Sequence, residues 1–256
     1  MKKFAFNIKL KKMIFALPWL FRARKLWSWA RKHKKSPEML SENERFSYLL
    51  KLSKKIMNIH NIDMEVVGLD NLPNKGGVIL APNHKSNFDA LALIYALRKQ
   101  TQANDDAHKI PTFVAKKELE KKFIIGNALT VLDTFTIDRK NFRESIAKLM
   151  EFGDFIKEKK TYGVIFPEGT RVAGKELGEF KAGAFKTAEK NYLNIIPVAI
   201  VNSEKALDSS RKGRLKVTVS FLKPIKASTF VGQDNKALGE KVRKLISDEI
   251  NKYEQQ

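Results

Sequence analysis

Cysteine is absent from this 256-residue chain. Disulfides, a thiol nucleophile and cysteine-bound metal are thereby excluded, and a reducing compartment fits. Histidine is scarce. His33, His60, His84 and His108 stand far apart, with no spacing that suits a zinc site. Neither a metal nor a cofactor is expected. Long apolar runs are also missing. The longest, Met13-Ile14-Phe15-Ala16-Leu17-Pro18-Trp19-Leu20-Phe21, is nine residues, whereas a spanning helix needs about 20. A cleavable signal peptide would want small residues after it, but Arg22-Ala23-Arg24-Lys25 follows. Internal repeats and low-complexity tracts are lacking.

One further absence is local. Residues 1–35 hold twelve Lys and Arg and no Asp or Glu, more than half of the net +21. All three tryptophans, Trp19, Trp27 and Trp29, lie in the same segment. Cations interleaved with indoles mark an interfacial membrane segment, with the charges at lipid phosphates and the rings at headgroup level. Residues 1–35 are therefore expected as a basic membrane arm, two amphipathic stretches hinged near Pro18. It would lie peripherally on the anionic cytoplasmic face of the cell membrane. Ser36-Pro37-Glu38 ends the basic stretch, leaving residues 36–256 as one catalytic domain. A basic chain raises nucleic acid as a rival partner. That reading needs stacking aromatics among basic residues of the folded part, and the tryptophans sit in the arm instead, so no nucleic-acid partner is expected.

Beyond the arm, Ser41-Glu42-Asn43-Glu44 is a capping box that opens a helix through about Ile59. Strands are expected at 77–81, 111–115, 129–137, 162–166, 195–201 and 215–222. Several are continuous Val, Ile and Phe runs, the mark of strands buried on both faces. Helices are expected near 87–99, 142–159 and 181–191. A last one carries Leu238, Val242, Leu245, Ile246, Ile250 and Tyr253 at helical spacing. The alternation predicts an α/β fold, a largely parallel sheet with helices on both faces. Ligands bind such sheets beyond the strand C-termini.

His84 falls at such a position, in Pro82-Asn83-His84-Lys85-Ser86-Asn87-Phe88-Asp89. Five residues apart, His84 and Asp89 would diverge by about 140° on a continuous helix. They meet only if the chain bends between them, and Asn83, Ser86 and Asn87 are bend formers. A helix starting at Ser86, with Asp89 at its third position, is a Ser-x-x-Asp variant of the capping box. A carboxylate held there can fix the tautomer and orientation of His84. An isolated His-x4-Asp is common by chance; the company it keeps downstream gives it meaning. Tyr162-Gly163-Val164-Ile165-Phe166-Pro167-Glu168-Gly169-Thr170-Arg171 is a second buried strand running into a turn. There Gly169 permits a tight conformation, and Arg171 offers a guanidinium suited to phosphate.

Together these motifs resemble the glycerolipid acyltransferase family, and within it the 1-acylglycerol-3-phosphate acyltransferases, over about residues 62–225. Asn83-His84-x4-Asp89 matches the family's catalytic motif. Phe166-Pro167-Glu168-Gly169-Thr170-Arg171 matches its acceptor-binding motif in full. Gly68-Leu69-Asp70-Asn71-Leu72-Pro73, Ala115-Lys116-Lys117-Glu118-Leu119, Phe180-Lys181-Ala182-Gly183 and Ile196-Pro197-Val198-Ala199 follow the family's segments in order. One motif departs. Where the family carries Gly-x-x-Phe-Ile-Asp-Arg, this chain has Asp133-Thr134-Phe135-Thr136-Ile137-Asp138-Arg139, so Asp133 replaces the Gly and Thr136 the Phe.

The resemblance implies direct acyl transfer from acyl-CoA or acyl-carrier protein to the sn-2 hydroxyl of lysophosphatidic acid. Phosphatidic acid would be the product, for phospholipid biosynthesis. His84 would be the general base and Asp89 its orienting acid. Lys116, at a strand end, is the candidate oxyanion donor. Arg139 and Arg171 would bind the acceptor phosphate, with Glu168, Gly169 and Thr170 completing that pocket and Lys181 a further phosphate contact. The altered motif at Asp133 leaves open a related acyltransferase acting on another lysolipid or polar alcohol. A catalytically silent membrane module is disfavoured by the intact His84, Asp89 and Arg171.

Overall fold

The structure, a computed structural model, describes residues 6–100, 107–174 and 176–254; residues 1–5 of the expected arm lie outside them. The chain opens with helices α1 (Ile8–Ile14) and α2 (Ala16–Lys35). They part at Phe15, not at Pro18. A proline ring clashes with the carbonyl four residues earlier, so the break comes upstream and Pro18 sits in the first turn of α2, where its missing N–H costs little.

Helix α3 (Glu42–Ile59) begins at the expected capping box: Ser41 Oγ accepts from Glu44 N–H, and Ser41 N–H donates back to Glu44 Oε2 at 2.9 Å. Next come strand β1 (Ile62–Val67), β2 (Val78–Pro82), helix α4 (Asp89–Ala96) and β3 (Pro111–Lys116). They are followed by α5 (Phe123–Val131), β4 (Phe135–Ile137), α6 (Phe142–Lys159) and β5 (Tyr162–Val164). Helix α7 (Ala182–Asn191), β6 (Asn194–Val201), β7 (Leu215–Phe221) and α8 (Asn235–Glu254) complete the order.

Two elements differ from expectation. The run 129–137 is not one strand: its first three residues finish α5, and only Phe135–Ile137 joins the sheet. A short apolar run reads alike as buried strand or buried helix, and the helical reading wins here because the run extends back to Phe123. Strand β1 was not expected, although Ile62-Asp63-Met64-Glu65-Val66 alternates with the period of a half-buried strand.

Among the described residues seven strands run in the order β1-β7-β6-β2-β5-β3-β4, and every pairing there is parallel except β6 with β7. β2, β5, β3 and β4 therefore end on the same sheet edge, side by side. Alternation in β2 feeds two cores: Val78 and Leu80 face α2, α3 and α4, whereas Ile79 and Ala81 face α6, α7 and α8. Helix α2 belongs to the first core. Leu26 and Ala30 are buried there, Trp19 and Trp29 pack against it, and Tyr48 of α3 donates to the Arg22 carbonyl at 2.8 Å. The other face of this segment is different, since Leu10, Met13, Ile14, Leu17, Leu20 and Phe21 are all exposed. Among the described residues no helix is long and apolar enough to cross a membrane.

Candidate active site

The site grows from the C-terminal end of β2. Asn83 is fully buried and fixes the exit of the strand through two bonds to β6: its amide donates to Ile200 O at 3.0 Å, and Ile200 N–H donates to its Oδ1 at 2.7 Å. The chain then bends, and α4 starts at Asp89 itself. The expected capping box forms by half. Ser86 N–H donates to Asp89 Oδ2, but Ser86 Oγ takes the N–H of Phe88 instead of that of Asp89. The bend folds the buried carboxylate back over the turn, where Oδ2 meets His84 Nδ1, Lys85 N–H and Ser86 N–H, each at 2.8 Å. Two of those donors are backbone amides, so Oδ2 is an acceptor and the proton on the imidazole lies at Nδ1. Nε2 then carries the lone pair, and among the described residues no protein group is hydrogen-bonded to it. His84 keeps 20% of its side chain exposed while Asp89 keeps none. The imidazole can meet a substrate that its carboxylate cannot.

The turn after β5 closes against this histidine. Phe166 stacks on the imidazole, centroids 4.2 Å apart and planes inclined by 30°. Val172 N–H donates to His84 O at 3.1 Å. Glu168 differs from its expected place in a phosphate pocket. It points inward, 3% exposed, and its two oxygens accept the N–H groups of His84 at 2.6 Å and Gly178 at 2.9 Å. A buried carboxylate would repel a phosphate; this one pins the backbone of His84.

Gly169 has φ +68°, a backbone that side chains rarely adopt. A Cβ there would meet the Lys181 stem at 3.5 Å and the Arg139 guanidinium carbon at 3.6 Å. Gly169, Arg139 at the end of β4 and Lys181 ahead of α7 thus converge. Partial burial lowers the pKa of Arg139 from its ordinary value, while Glu118 acts in the opposite sense. Thr170 and Arg171 are exposed on the same turn, and Lys116 is half-buried at the end of β3. Among the described residues, the side chains of Arg171 and Lys116 make no hydrogen bond or ion pair with the rest of the site. No cluster of three His, Asp or Glu among the described residues is placed to hold a metal.

The arrangement therefore offers an imidazole base, oriented by a buried acid, beside a cationic rim built from three strand ends. Sequence reasoning named the base, its acid and the cations. It missed the inward turn of Glu168, the Asn83 bridge to Ile200 and the Phe166 stack, although all three residues lie inside motifs it had singled out.

The family model described as Acyltransferase matches residues 63–201. A probable 1-acyl-sn-glycerol-3-phosphate acyltransferase of Mycoplasma pneumoniae is 31% identical over 235 residues, covering 88% of this chain and 85% of its own. The 1-acyl-sn-glycerol-3-phosphate acyltransferase of Saccharomyces cerevisiae is 31% identical over 194 residues, with 74% and 60% covered. The crystal structure of the 1-acyl-sn-glycerophosphate acyltransferase of Thermotoga maritima shares the fold. Its TM-score is 0.73 at 19% identity, covering 97% of this chain and 95% of that one.

Proposed function

The chain belongs to the acyltransferase family, and from that premise we propose that it acylates the sn-2 hydroxyl of 1-acyl-sn-glycerol 3-phosphate to give phosphatidic acid. The donor is an acyl thioester, of coenzyme A or of acyl-carrier protein. The observation that carries the reading is the bond of His84 Nδ1 to buried Asp89, which leaves Nε2 free to accept a proton. In the reaction Nε2 takes the hydroxyl proton as that oxygen attacks the thioester carbonyl. The C–S bond then breaks, and the imidazolium returns the proton to the departing thiolate. Asp89 holds the imidazole and stabilises its charged form. Lys116 is assigned to the oxyanion, at a sheet edge shared with His84. Arg139, Lys181 and the Gly169–Arg171 turn receive the acceptor phosphate, which suits guanidinium geometry.

The exposed apolar side chains of α1 and α2, in a sequence segment with twelve basic residues and no acidic one, support a peripheral station on the anionic cytoplasmic surface of the cell membrane. The reacting groups belong to residues 36–256 in this reading; of residues 1–35, the exposed face of α1 and α2 meets the lipid while Leu26, Ala30 and His33 pack against the rest of the fold. The test is to offer the purified protein a panel of lysophospholipids with each thioester donor and identify the lipid products. Phosphatidic acid formed by the native chain and lost in His84→Ala is the expected result. Acylation of a lysolipid other than lysophosphatidic acid in preference to it would overturn the acceptor assignment.

A further inference from the structure

Asp133 plays no part in the chemistry described above, yet its backbone is constrained and both of its carboxylate oxygens are held. Its φ is +50°, a left-handed backbone that asparagine and aspartate tolerate better than most residues and that glycine adopts freely. What Asp adds over Gly is a carboxylate, and both of its oxygens are used. Oδ1 meets Nε2 of His33, in the last turn of α2, at 2.6 Å, and Oδ2 meets the Arg45 guanidinium, in the first turn of α3, at 2.8 Å. Both partners are buried, His33 to 8% and Arg45 to 5% exposure. The same Arg45 nitrogen donates to Val131 O at 2.5 Å, the end of α5. Three helices are thus joined at one carboxylate.

Immediately downstream is β4, which has three residues, lies at the sheet edge and pairs on one side with β3. An edge strand this short is not placed by its ladder alone. Its far end is held by Ser145 Oγ, which donates to Asp138 O at 2.6 Å. Its near end is held by Asp133. Arg139 follows directly on the second anchor.

We propose that Asp133, clamped between His33 and Arg45, is a positioning residue for acceptor binding that sets β4 so that Arg139 reaches the acceptor phosphate. The proposal rests on the assignment of Arg139 to that phosphate. Asp133→Gly removes the clamp while relieving the backbone, so it separates the two roles of the residue. With lysophosphatidic acid and an acyl-CoA as probes, this variant should raise the acceptor KM about tenfold, within the range that displaced positioning groups produce. The donor KM and kcat should stay within about twofold. Asp133→Asn, which keeps the backbone preference and part of the hydrogen bonding, should fall between. His33→Leu should raise the acceptor KM as well, and His33→Gln, whose amide can donate where the imidazole did, should restore much of it.

An unchanged acceptor KM in both Asp133→Gly and His33→Leu overturns the proposal. So does a loss in which kcat and both KM values move together with the melting temperature, the pattern of a purely structural ion pair. If Asp133→Gly does not fold, the His33 pair decides with the same readout. Arg139→Ala is the control. Should it leave the acceptor KM unaltered, the phosphate assignment falls and the proposal with it; should it raise that KM while the clamp variants do not, the clamp alone falls.

Discussion

At the residue scale the site is a set of single hydrogen bonds, and each can be removed singly. His84→Ala removes the proposed base and should lower kcat about 10²- to 10⁴-fold, the usual contribution of general base catalysis. Circular dichroism and melting temperature should stay near wild type, because the imidazole is partly exposed. Asp89→Asn should lose most activity too, since an amide at that place disfavours the Nδ1–H tautomer. Arg139→Ala and Arg171→Ala should weaken acceptor use roughly ten- to 150-fold, the equivalent of about 1.5–3 kcal/mol for a charge-assisted contact. Steady-state assays that vary acceptor and donor separately check this, and a defect confined to the donor would reverse the pocket assignment. Glu168→Gln acts differently. It weakens the carboxylate that holds His84 N–H and Gly178 N–H, so it should lower kcat with little change in either KM. The pairing of His84 with Asp89 was legible because a fixed spacing at a strand end constrains what a bend can bring together. That of Glu168 was not, because a carboxylate in a turn reads the same in sequence whether it faces solvent or the interior.

At the element scale the N-terminal helices have two faces with separate fates. Leu26 lies in the core, so Leu26→Ala should cost about 2–5 kcal/mol in denaturant unfolding. Deleting residues 1–35 should destabilise the chain rather than release a catalytic domain intact. Leu20 and Phe21 are exposed. Changing either to Glu should leave the melting temperature unchanged and reduce sedimentation with anionic vesicles about tenfold or more, given about 1.5–3 kcal/mol per buried side chain. Full co-sedimentation of both variants would place the lipid contact elsewhere. The sequence marked this segment as basic and tryptophan-rich, but it could not show which face the fold would claim, since α5, a main partner of α2, lies about a hundred residues downstream.

The joint of α1, α3 and β1 holds His60, 5% exposed, with Nδ1 buried and without a hydrogen-bond partner among the described residues. Burial, then the charges of Lys12 and Arg211, lower its pKa from 6.5 to about 4. The unfolded chain therefore binds this proton before the folded one does. Stability should fall as pH drops from about 6.5 toward 4, and His60→Gln should flatten that part of the melting-temperature profile.

At the scale of the whole molecule, the parallel sheet was readable because β2, β3, β5 and β6 are short, dense apolar runs separated by helical patterns. Its edges were not. β1 is half polar, β4 is three residues long, and both are fixed by distant partners rather than by their own composition. β1 pairs through six residues with β7, and the bonds across that ladder join positions 151 and 153 residues apart. His33 likewise waits a hundred residues for Asp133. Loop-closure entropy must be overcome before such contacts are rewarded, so they form late. As the chain leaves the ribosome, α2 and β1 emerge early, and α2 stays without α5 and β1 without β7 until residues 123–133 and 215–221 follow. A nascent chain ending before Leu215 should resist neither proteolysis nor aggregation, and completing β7 should confer protection in a single cooperative step.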